Sequence, residues 1–503
     1  MRYRMDHIPR VSEVLYVGLC WEMGTPKEVT IRRDVLDMEE MIETPLQIYR
    51  GERLMMSGSY REGFRFKSSD RDRMFWGCHY KLISDISQSS FYTASGNTII
   101  LMDSMDTPPG FVRLQLLTPT SNPNISSSLV LLNDRVYISS SQFQQRSVDF
   151  SNNISPHQIF TPHGPCTTST IASIEADYAH CFASIHWPAL TRPWIDRCLR
   201  HTWPPVRVLT DIVNNGCHCV PIGSKILSSE NQLEWRLSFS QAEQKLVYAM
   251  NHTQFLCYGL LKIFLKEVIS YNVEEPLLCS YFMKTTMFWI IQAGCIRWCP
   301  QDLLNCFWTC FKYLIHCVYR GEFPNFFIPQ NNMFLNKVVG HARTSLLEQL
   351  YQYYRMGVSC LLHSKTLRSI LLPALSSPSF VLHSAEGHYN AVEAIDLVVQ
   401  REIFSLPFPW KEFTHCLLLL KSIDKLSRLS LSPYQTLTLQ YATAGVLTQT
   451  AFVMVNNDTC CTHRQVYTLD KTVCNMLKLV ARVGSVTQSL YLALYYYRMG
   501  HRI

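Results

Sequence analysis

A glycine-serine turn followed by two acids spaced two apart constrains this chain more than any other feature. The turn is Gly58-Ser59-Tyr60-Arg61-Glu62-Gly63, and the acids lie in Ser69-Asp70-Arg71-Asp72-Arg73-Met74. A turn of that kind presents backbone amides and a hydroxyl to an anion such as a triphosphate. Aspartates two apart on a strand share one face, where their oxygens can hold Mg²⁺ or Mn²⁺ against phosphate. The pattern therefore predicts a strand carrying Asp70 and Asp72 beside a phosphate-binding turn. Such an arrangement suits phosphoryl transfer, because divalent ions neutralise a triphosphate, stabilise departing pyrophosphate and lower the pKa of an attacking hydroxyl. Asp177, on a strand-like run from Asp177 to Ile185 that ends at Trp187-Pro188, is the candidate third carboxylate. Arg71 and Arg73 fall on the other face of the first strand, where an unpaired buried charge is costly. Either that face is partly open or a carboxylate sits opposite.

The texture around these acids changes along the chain. Residues 1 to about 50 read as helical, a long helix leading into a sheet. From Gly58 short apolar runs alternate with turn signals: Thr98 to Met102, Phe111 to Leu117, and Leu129 to Ser139, the last with Asn133-Asp134 as a hairpin turn. A Ser/Asn-rich loop is expected from Ser140 to Ser155, and a strand from Cys217 to Ile222. From Phe239 onward helical spacing dominates, as in Leu246, Met250, Leu261, Leu265 and Ile269. Leu335 to Ile503 continues as helices, and Tyr353-Tyr-Arg-Met-Gly357 recurs as Tyr496-Tyr-Arg-Met-Gly500, a hint of tetratricopeptide-like repeats. The expected class is α+β in three parts: 1–235 mixed, 236–335 a helical lobe, and 336–503 all helical.

With 503 residues, 47% of them hydrophobic and only 17% charged, the chain is excluded from the disordered and collagenous classes. No secretory signal is readable at the start, and Lys284, Arg297, Pro300, Asp302 and Lys312 interrupt the apolar stretch Tyr281 to Tyr319 before it could span a membrane. A soluble cytoplasmic protein with no membrane partner is expected. Its 19 cysteines read as reduced thiols. Cys295, Cys299, Cys306, Cys310 and Cys317 recur at helical steps and predict a buried helix face rather than a metal site, since no CxxC pair occurs. Cys460, Cys461 and His463 offer three ligands without a fourth in sight. A net charge of +7 permits nucleic-acid binding without showing it.

Taken in order, Gly58-Ser59, Asp70-x-Asp72-x-Met74, Asp177 with Trp187-Pro188, Trp235-Arg-Leu-Ser-Phe-Ser240, Leu261-Lys262, Ser280-Tyr281-x-x-Lys284-Thr285 and Phe327-Ile-Pro329 resemble the cyclic GMP-AMP synthase-like, or Mab-like, family of nucleotidyltransferases. The resemblance covers about residues 50 to 335. It implies a nucleotidyltransferase-fold mixed sheet with a helical lobe closing over bound nucleotides. It further implies that Asp70, Asp72 and Asp177 are catalytic and hold Mg²⁺ or Mn²⁺. Gly58, Ser59 and Ser280 would bind phosphate, Arg236 and Lys262 would contact phosphate or base edges, and Tyr281 would stack on a base. Two departures stand out. The positions flanking Asp72 are arginine where the family is usually apolar, and the family's zinc thumb, with its His and clustered Cys, is absent.

Two functions follow from the resemblance. One is an enzyme of innate immune sensing that joins ATP and/or GTP into a cyclic dinucleotide and is activated by double-stranded RNA, which is recognised by shape without a base code. The other is a non-catalytic Mab-like nucleotide-binding or protein-interaction module. In either case the C-terminal helices offer a surface for a protein partner.

Overall fold

Gly24 divides the helical start of the chain in two. It takes a left-handed φ of 103°, a conformation that costs glycine little, so α1 (Ile8–Met23) stops before it and α2 (Pro26–Tyr49) begins after it. The computed structural model describes residues 8–66, 69, 71–92, 96–171, 174–224, 231–335, 337–377, 397–398, 401–402, 412–456, 463–483 and 491–496. Asp70, Cys460, Cys461 and most of the second Tyr-Tyr-Arg-Met-Gly copy lie outside these residues.

Two compact units form, residues 1–26 with 57–388 and residues 27–56 with 389–503. These units cut the chain differently from the expected division at 235 and 335. Residues 336–388 join the first unit and residues 27–56 the second. Packing explains both reassignments. Gly18 lies against Ile370 so closely that a Cβ would meet its side chain at 2.3 Å, which seats α1 on α13 (Lys365–Ser376). In the second unit Met38, Ile42 and Leu46, one face of α2 at steps of four, are buried with Leu419, Ile423, Leu439, Ala442 and Val446 from the helices Phe413–Leu426 and Pro433–Asn456. Ser432 Oγ donates to Asp34 Oδ2 at 2.6 Å within the same unit. Texture alone could not show that a helix written before the sheet belongs with helices written after it.

The first unit holds two mixed sheets. After β1 (Glu52–Ser57) come α3 (Gly58–Glu62), β2 (Arg71–Gly77), β3 (Tyr80–Ile83), β4 (Thr98–Asp103) and β5 (Phe111–Leu116). A short α4 (Pro123–Ser126) precedes β6 (Leu129–Leu132) and β7 (Arg135–Ile138). These pair antiparallel around Asn133 and Asp134, both at positive φ of 48° and 59°, as the hairpin signal predicts. Then follow α5 (Ser140–Ile154), β8 (Phe160–His163), β9 (Cys166–Ile171), β10 (Ile174–His180) and β11 (Phe182–Ser184). Within the unit one sheet runs β2–β10–β9–β8, with β10 parallel to β2 and antiparallel to β9. The other runs β11–β12–β13–β5–β4–β3, where β12 is Cys217–Val220 and β13 is Glu234–Ser238. The expected strand from Asp177 to Ile185 is thus two strands, one in each sheet, with the switch at Cys181.

The stretch Ser140 to Ser155 is a helix, not the expected loop. Ser139 caps its start by accepting from Gln142 N, and Phe143, Ser147 and Val148 supply a buried stripe at helical spacing. Polar composition hid an amphipathic helix with one narrow buried face.

Helices α6 (Arg192–His201) and α7 (Val206–Asn215) precede the lobe, which comprises α8 (Ser240–Tyr248), α9 (His252–Phe264), α10 (Ser280–Ala293), α11 (Leu303–Arg320) and α12 (Gly340–Met356). Asn251 and Gln254 form a reciprocal capping box that starts α9. This helix is buried almost all round, as its nearly unbroken apolar sequence requires. On α11, Cys306, Cys310 and Cys317 are buried as predicted, but Cys295 and Cys299 precede the helix, and Cys295 is exposed. No helix among the described residues is long and apolar enough to cross a membrane.

One buried group in β12 makes stability pH-dependent. His218 is fully enclosed, edge-on to Trp76 at 4.7 Å, and its Nδ1 has no hydrogen-bond partner among the described residues. Burial holds its pKa down to about 4, from an ordinary 6.5. The unfolded chain therefore takes up this proton first, and its contribution to stability is lost as pH falls from 6.5 toward 4. That loss amounts to roughly 3 kcal/mol. Urea unfolding at pH 7 and pH 4.5 checks this: His218→Leu should lose less stability over the interval than the parent, and equal losses would contradict it.

Candidate active site

Gly58 sits where no other residue fits. Its φ is +72°, and a Cβ built on it would lie 1.6 Å from Asp72 Oδ2. Bare backbone is what lets the turn lie against this carboxylate. The turn continues as α3 and closes at Gly63, at φ 107°, whose N–H reaches the carbonyls of Ser59 and Tyr60. Ser59 Oγ donates to Ser69 Oγ at 3.4 Å, and Ser69 Oγ accepts from Phe66 N at 3.1 Å. The hydroxyls at the two ends of the Ser59–Ser69 stretch are thereby joined.

Asp72 on β2 and Asp177 on β10 are in-register neighbours on parallel strands. Thr168 on β9 is the in-register neighbour of Asp177 on its other side. Adjacent strands stand about 4.8 Å apart and in-register side chains share a face, so the three form one row across the sheet. Thr168 Oγ1 donates to Asp177 Oδ1, while His163 Nδ1 lies 3.8 Å from Asp177 Oδ2. Two like charges side by side repel unless cations or donors offset them. Burial pushes the Cys166 thiol up to about 12, Asp177 and Asp72 push the same way, and Arg236 opposes them. Asp72, Asp177 and Arg236 thus all lie within electrostatic range of one sulfur on β9.

Arg71 and Arg73 occupy the other face and are half-buried, so that face is partly open. Arg71 finds an aromatic partner there. It donates to Tyr60 Oη at 3.4 Å, with its guanidinium 5.0 Å from the ring centroid, and Arg65 stands 3.6 Å from the same ring.

Arg236 on β13 and Tyr281 at the start of α10 line one cavity of about 670 Å³, together with Ser240, Glu243, Asn325 and Lys337. Tyr281 Oη donates to Glu243 Oε1 at 3.0 Å and accepts from Asn325 Nδ2 at 3.4 Å. Burial and the neighbouring Glu243 carboxylate raise the pKa of this phenol, which keeps it protonated. Ser280 is exposed and is not part of the cavity lining, although its neighbours Cys279 and Tyr281 are. Lys262 is set apart from this cavity. Its ammonium lies 4.7 Å from the ring of Phe64, 5.2 Å from Tyr258 and 5.6 Å from Phe66.

Motif residues far apart in sequence meet beneath the cavity. Phe239 stacks on Phe327 at 4.5 Å, and Trp187 packs against Phe239 at 5.2 Å and Trp194 at 5.3 Å. Trp235 is fully buried and donates from Nε1 to Ile138 O at 2.8 Å. These aromatics build the floor on which Arg236 and Ser240 stand.

Comparison with known families matches the Mab-21 protein nucleotidyltransferase domain over residues 93–249 and the Mab-21 protein HhH/H2TH-like domain over residues 254–352, together just over half of the chain. The chain belongs to the Mab-21 family. It is similar to cyclic GMP-AMP synthase of Mus musculus, 24% identical over 183 residues that make up 34% of this chain and 36% of that protein. It is similar also to cyclic GMP-AMP synthase of Sus scrofa, 25% identical over 188 residues, 34% of this chain and 37% of the relative. The matched region spans just over a third of the length of these relatives. The two matched Mab-21 domains meet between residues 249 and 254.

Among the described residues no set of three His, Cys, Asp or Glu side chains gathers as a metal site; Asp70, one of the three expected acids, is not among those residues. The donors that are present are nonetheless of the right kind. Paired carboxylates facing a glycine cradle are hard oxygen ligands, suited to Mg²⁺ or Mn²⁺. Thr168, Glu243 and Asn325 are site residues that sequence reasoning missed. Thr168 becomes visible only through strand register, and Glu243 only once α8 and α10 are packed.

Proposed function

We propose that this member of the Mab-21 family is a nucleotidyltransferase that joins ATP and/or GTP into a cyclic dinucleotide. The observation that carries the proposal is the in-register pair Asp72–Asp177, with Gly58 pressed against the Asp72 carboxylate. Asp72 and Asp177, with Asp70, would hold Mg²⁺ or Mn²⁺, which supplies charge neutralisation of the triphosphate and the leaving pyrophosphate. The remaining roles belong to the chain itself. The amides and hydroxyl of the Gly58-Ser59 turn receive phosphate oxygens. Thr168 holds Asp177 in one orientation by donating to Oδ1. Arg236 and Tyr281 orient the nucleotide from the cavity side, and Lys262 supports the turn. In the reaction a ribose hydroxyl oxygen bonds to an α-phosphorus as the bond to the β-phosphate oxygen breaks. Pyrophosphate departs and the hydroxyl proton passes to solvent.

Double-stranded RNA is the proposed activator, bound through phosphate contacts and therefore weakened steeply by salt. The C-terminal helical region, residues 336–503, is the proposed docking surface for a protein partner. Incubating the purified full chain with ATP, GTP, Mg²⁺ or Mn²⁺ and a panel of double-stranded RNA and DNA, read by mass spectrometry, tests the proposal. A cyclic dinucleotide that forms with RNA supports the whole reading, and one that forms regardless of nucleic acid removes only the activator. If no product forms under any condition, the chain is the non-catalytic nucleotide-binding or interaction module. Tyr281→Ala is expected to weaken nucleotide binding by roughly 1 to 3 kcal/mol, the usual worth of a base stacked on a ring. Isothermal titration with ATP measures it, and unchanged affinity would confine Tyr281 to packing.

A further inference from the structure

Glu62 closes the segment that carries Gly58 and Ser59, and Lys284 lies one turn into the helix that begins at Ser280 and Tyr281. The Lys284 ammonium is 2.7 Å from Glu62 Oε1 and 3.0 Å from Glu243 Oε2, with the three side chains only 13%, 4% and 10% exposed. Both carboxylates have a second partner. Tyr258 Oη donates to Glu62 Oε2 at 3.3 Å, and Tyr281 Oη donates to Glu243 Oε1 at 3.0 Å. A single buried cation thus joins the phosphate-binding turn, α8, and the helix bearing the tyrosine of the nucleotide cavity.

A buried ion cluster of this kind is weak evidence for stability, because well-packed apolar groups of similar volume often hold a fold as well or better. What an ion cluster imposes is one geometry, since each charge must meet its partners or remain uncompensated. Lys284 itself lies outside the cavity lining and outside the carboxylate row. We infer that Lys284 is a positioning residue, a clamp that fixes the Gly58-Ser59 turn relative to Tyr281 and so sets the span between the phosphate and base ends of the site. The clamp is a statement about the nucleotide-free protein, and its consequence for binding rests on the proposed function.

The test uses the full chain and two variants. Glu62→Gln/Lys284→Met/Glu243→Gln neutralises the three charged side chains at once, while Lys284→Arg keeps the cation. Hydrogen exchange of nucleotide-free protein should show the amides of residues 59–63 exchanging at least tenfold faster in the triple variant and near parent rates in Lys284→Arg. ATP affinity in Mn²⁺ should fall at least tenfold in the triple variant and recover in Lys284→Arg. Parent-like exchange at 59–63 in the triple variant overturns the clamp and leaves the nucleotide reading intact. Faster exchange in a protein whose parent binds no ATP supports the clamp and overturns the nucleotide reading. Should the triple variant lose cooperative unfolding, Glu62→Gln alone, which leaves Lys284 one carboxylate, must show the same faster exchange or the inference falls.

Discussion

Asp177→Asn is expected to cut nucleotide transfer by more than roughly 100-fold, beyond the 10- to 100-fold typical of losing a group that merely orients a metal ligand. Thermal stability should not fall with it. Asp177 stands in register beside Asp72, so removing one of two adjacent negative charges relieves repulsion, and an asparagine oxygen can still accept from Thr168. Asp72→Asn should behave alike. Thr168→Val should fall between these variants and the parent, with a loss of roughly 10- to 100-fold, because it frees Asp177 to turn without removing an oxygen. Initial rates of product formation, measured beside melting curves, check the ranking. A Thr168→Val loss as large as that of Asp177→Asn would mean that Thr168 does more than orient.

The second large effect concerns stability. Lys284→Met should destabilise the first unit by about 3 to 5 kcal/mol, because two buried carboxylates would lose the cation that bridges them. Neutralising all three positions together should bring stability back to within about 1 kcal/mol of the parent, or above it. Burial alone would drain charge from Lys284, but Glu62 and Glu243 outweigh it and hold its pKa well above the ordinary 10.5. For a cation with a raised pKa the stabilisation is complete below the unfolded value and is lost as pH rises through the folded one. The contribution of Lys284 is therefore expected to be flat from pH 6 to 9, unlike that of His218, which changes below 6.5. Chemical denaturation of parent, single and triple variants at pH 7 and pH 9 measures both features. A single variant as stable as the triple one would show that the carboxylates find another partner.

How far the site could be read beforehand depends on whether its parts are local in sequence. The turn at Gly58, the pair Asp70 and Asp72, and the Asn133-Asp134 hairpin all declare themselves within a few residues, through backbone conformation or strand period. Asp177 could be placed on a strand, but its register beside Asp72 is a property of pairing across about a hundred residues. Thr168 is invisible for the same reason: a threonine on a strand signals nothing until its neighbour is known. Glu62 and Lys284 lie inside segments that were already conspicuous, yet their roles appear only when α3, α8 and α10 meet. The Ser140–Ile154 helix misled through composition, because Phe143 and Val148 are too few to announce a stripe. The affiliation of α2 with residues 389–503 was hidden since nothing in Met38, Ile42 and Leu46 says which apolar face will cover them.

The central claim, that Asp72 and Asp177 form a nucleotide-dependent site for divalent ions, is tested most directly by titrating Mn²⁺ and following the free ion by electron paramagnetic resonance, with and without ATP. The parent should bind Mn²⁺ more tightly when ATP is present, and Asp72→Asn/Asp177→Asn should lose at least tenfold in that affinity while remaining folded. Equal Mn²⁺ binding by the parent and the folded double variant, with ATP present, would contradict the claim.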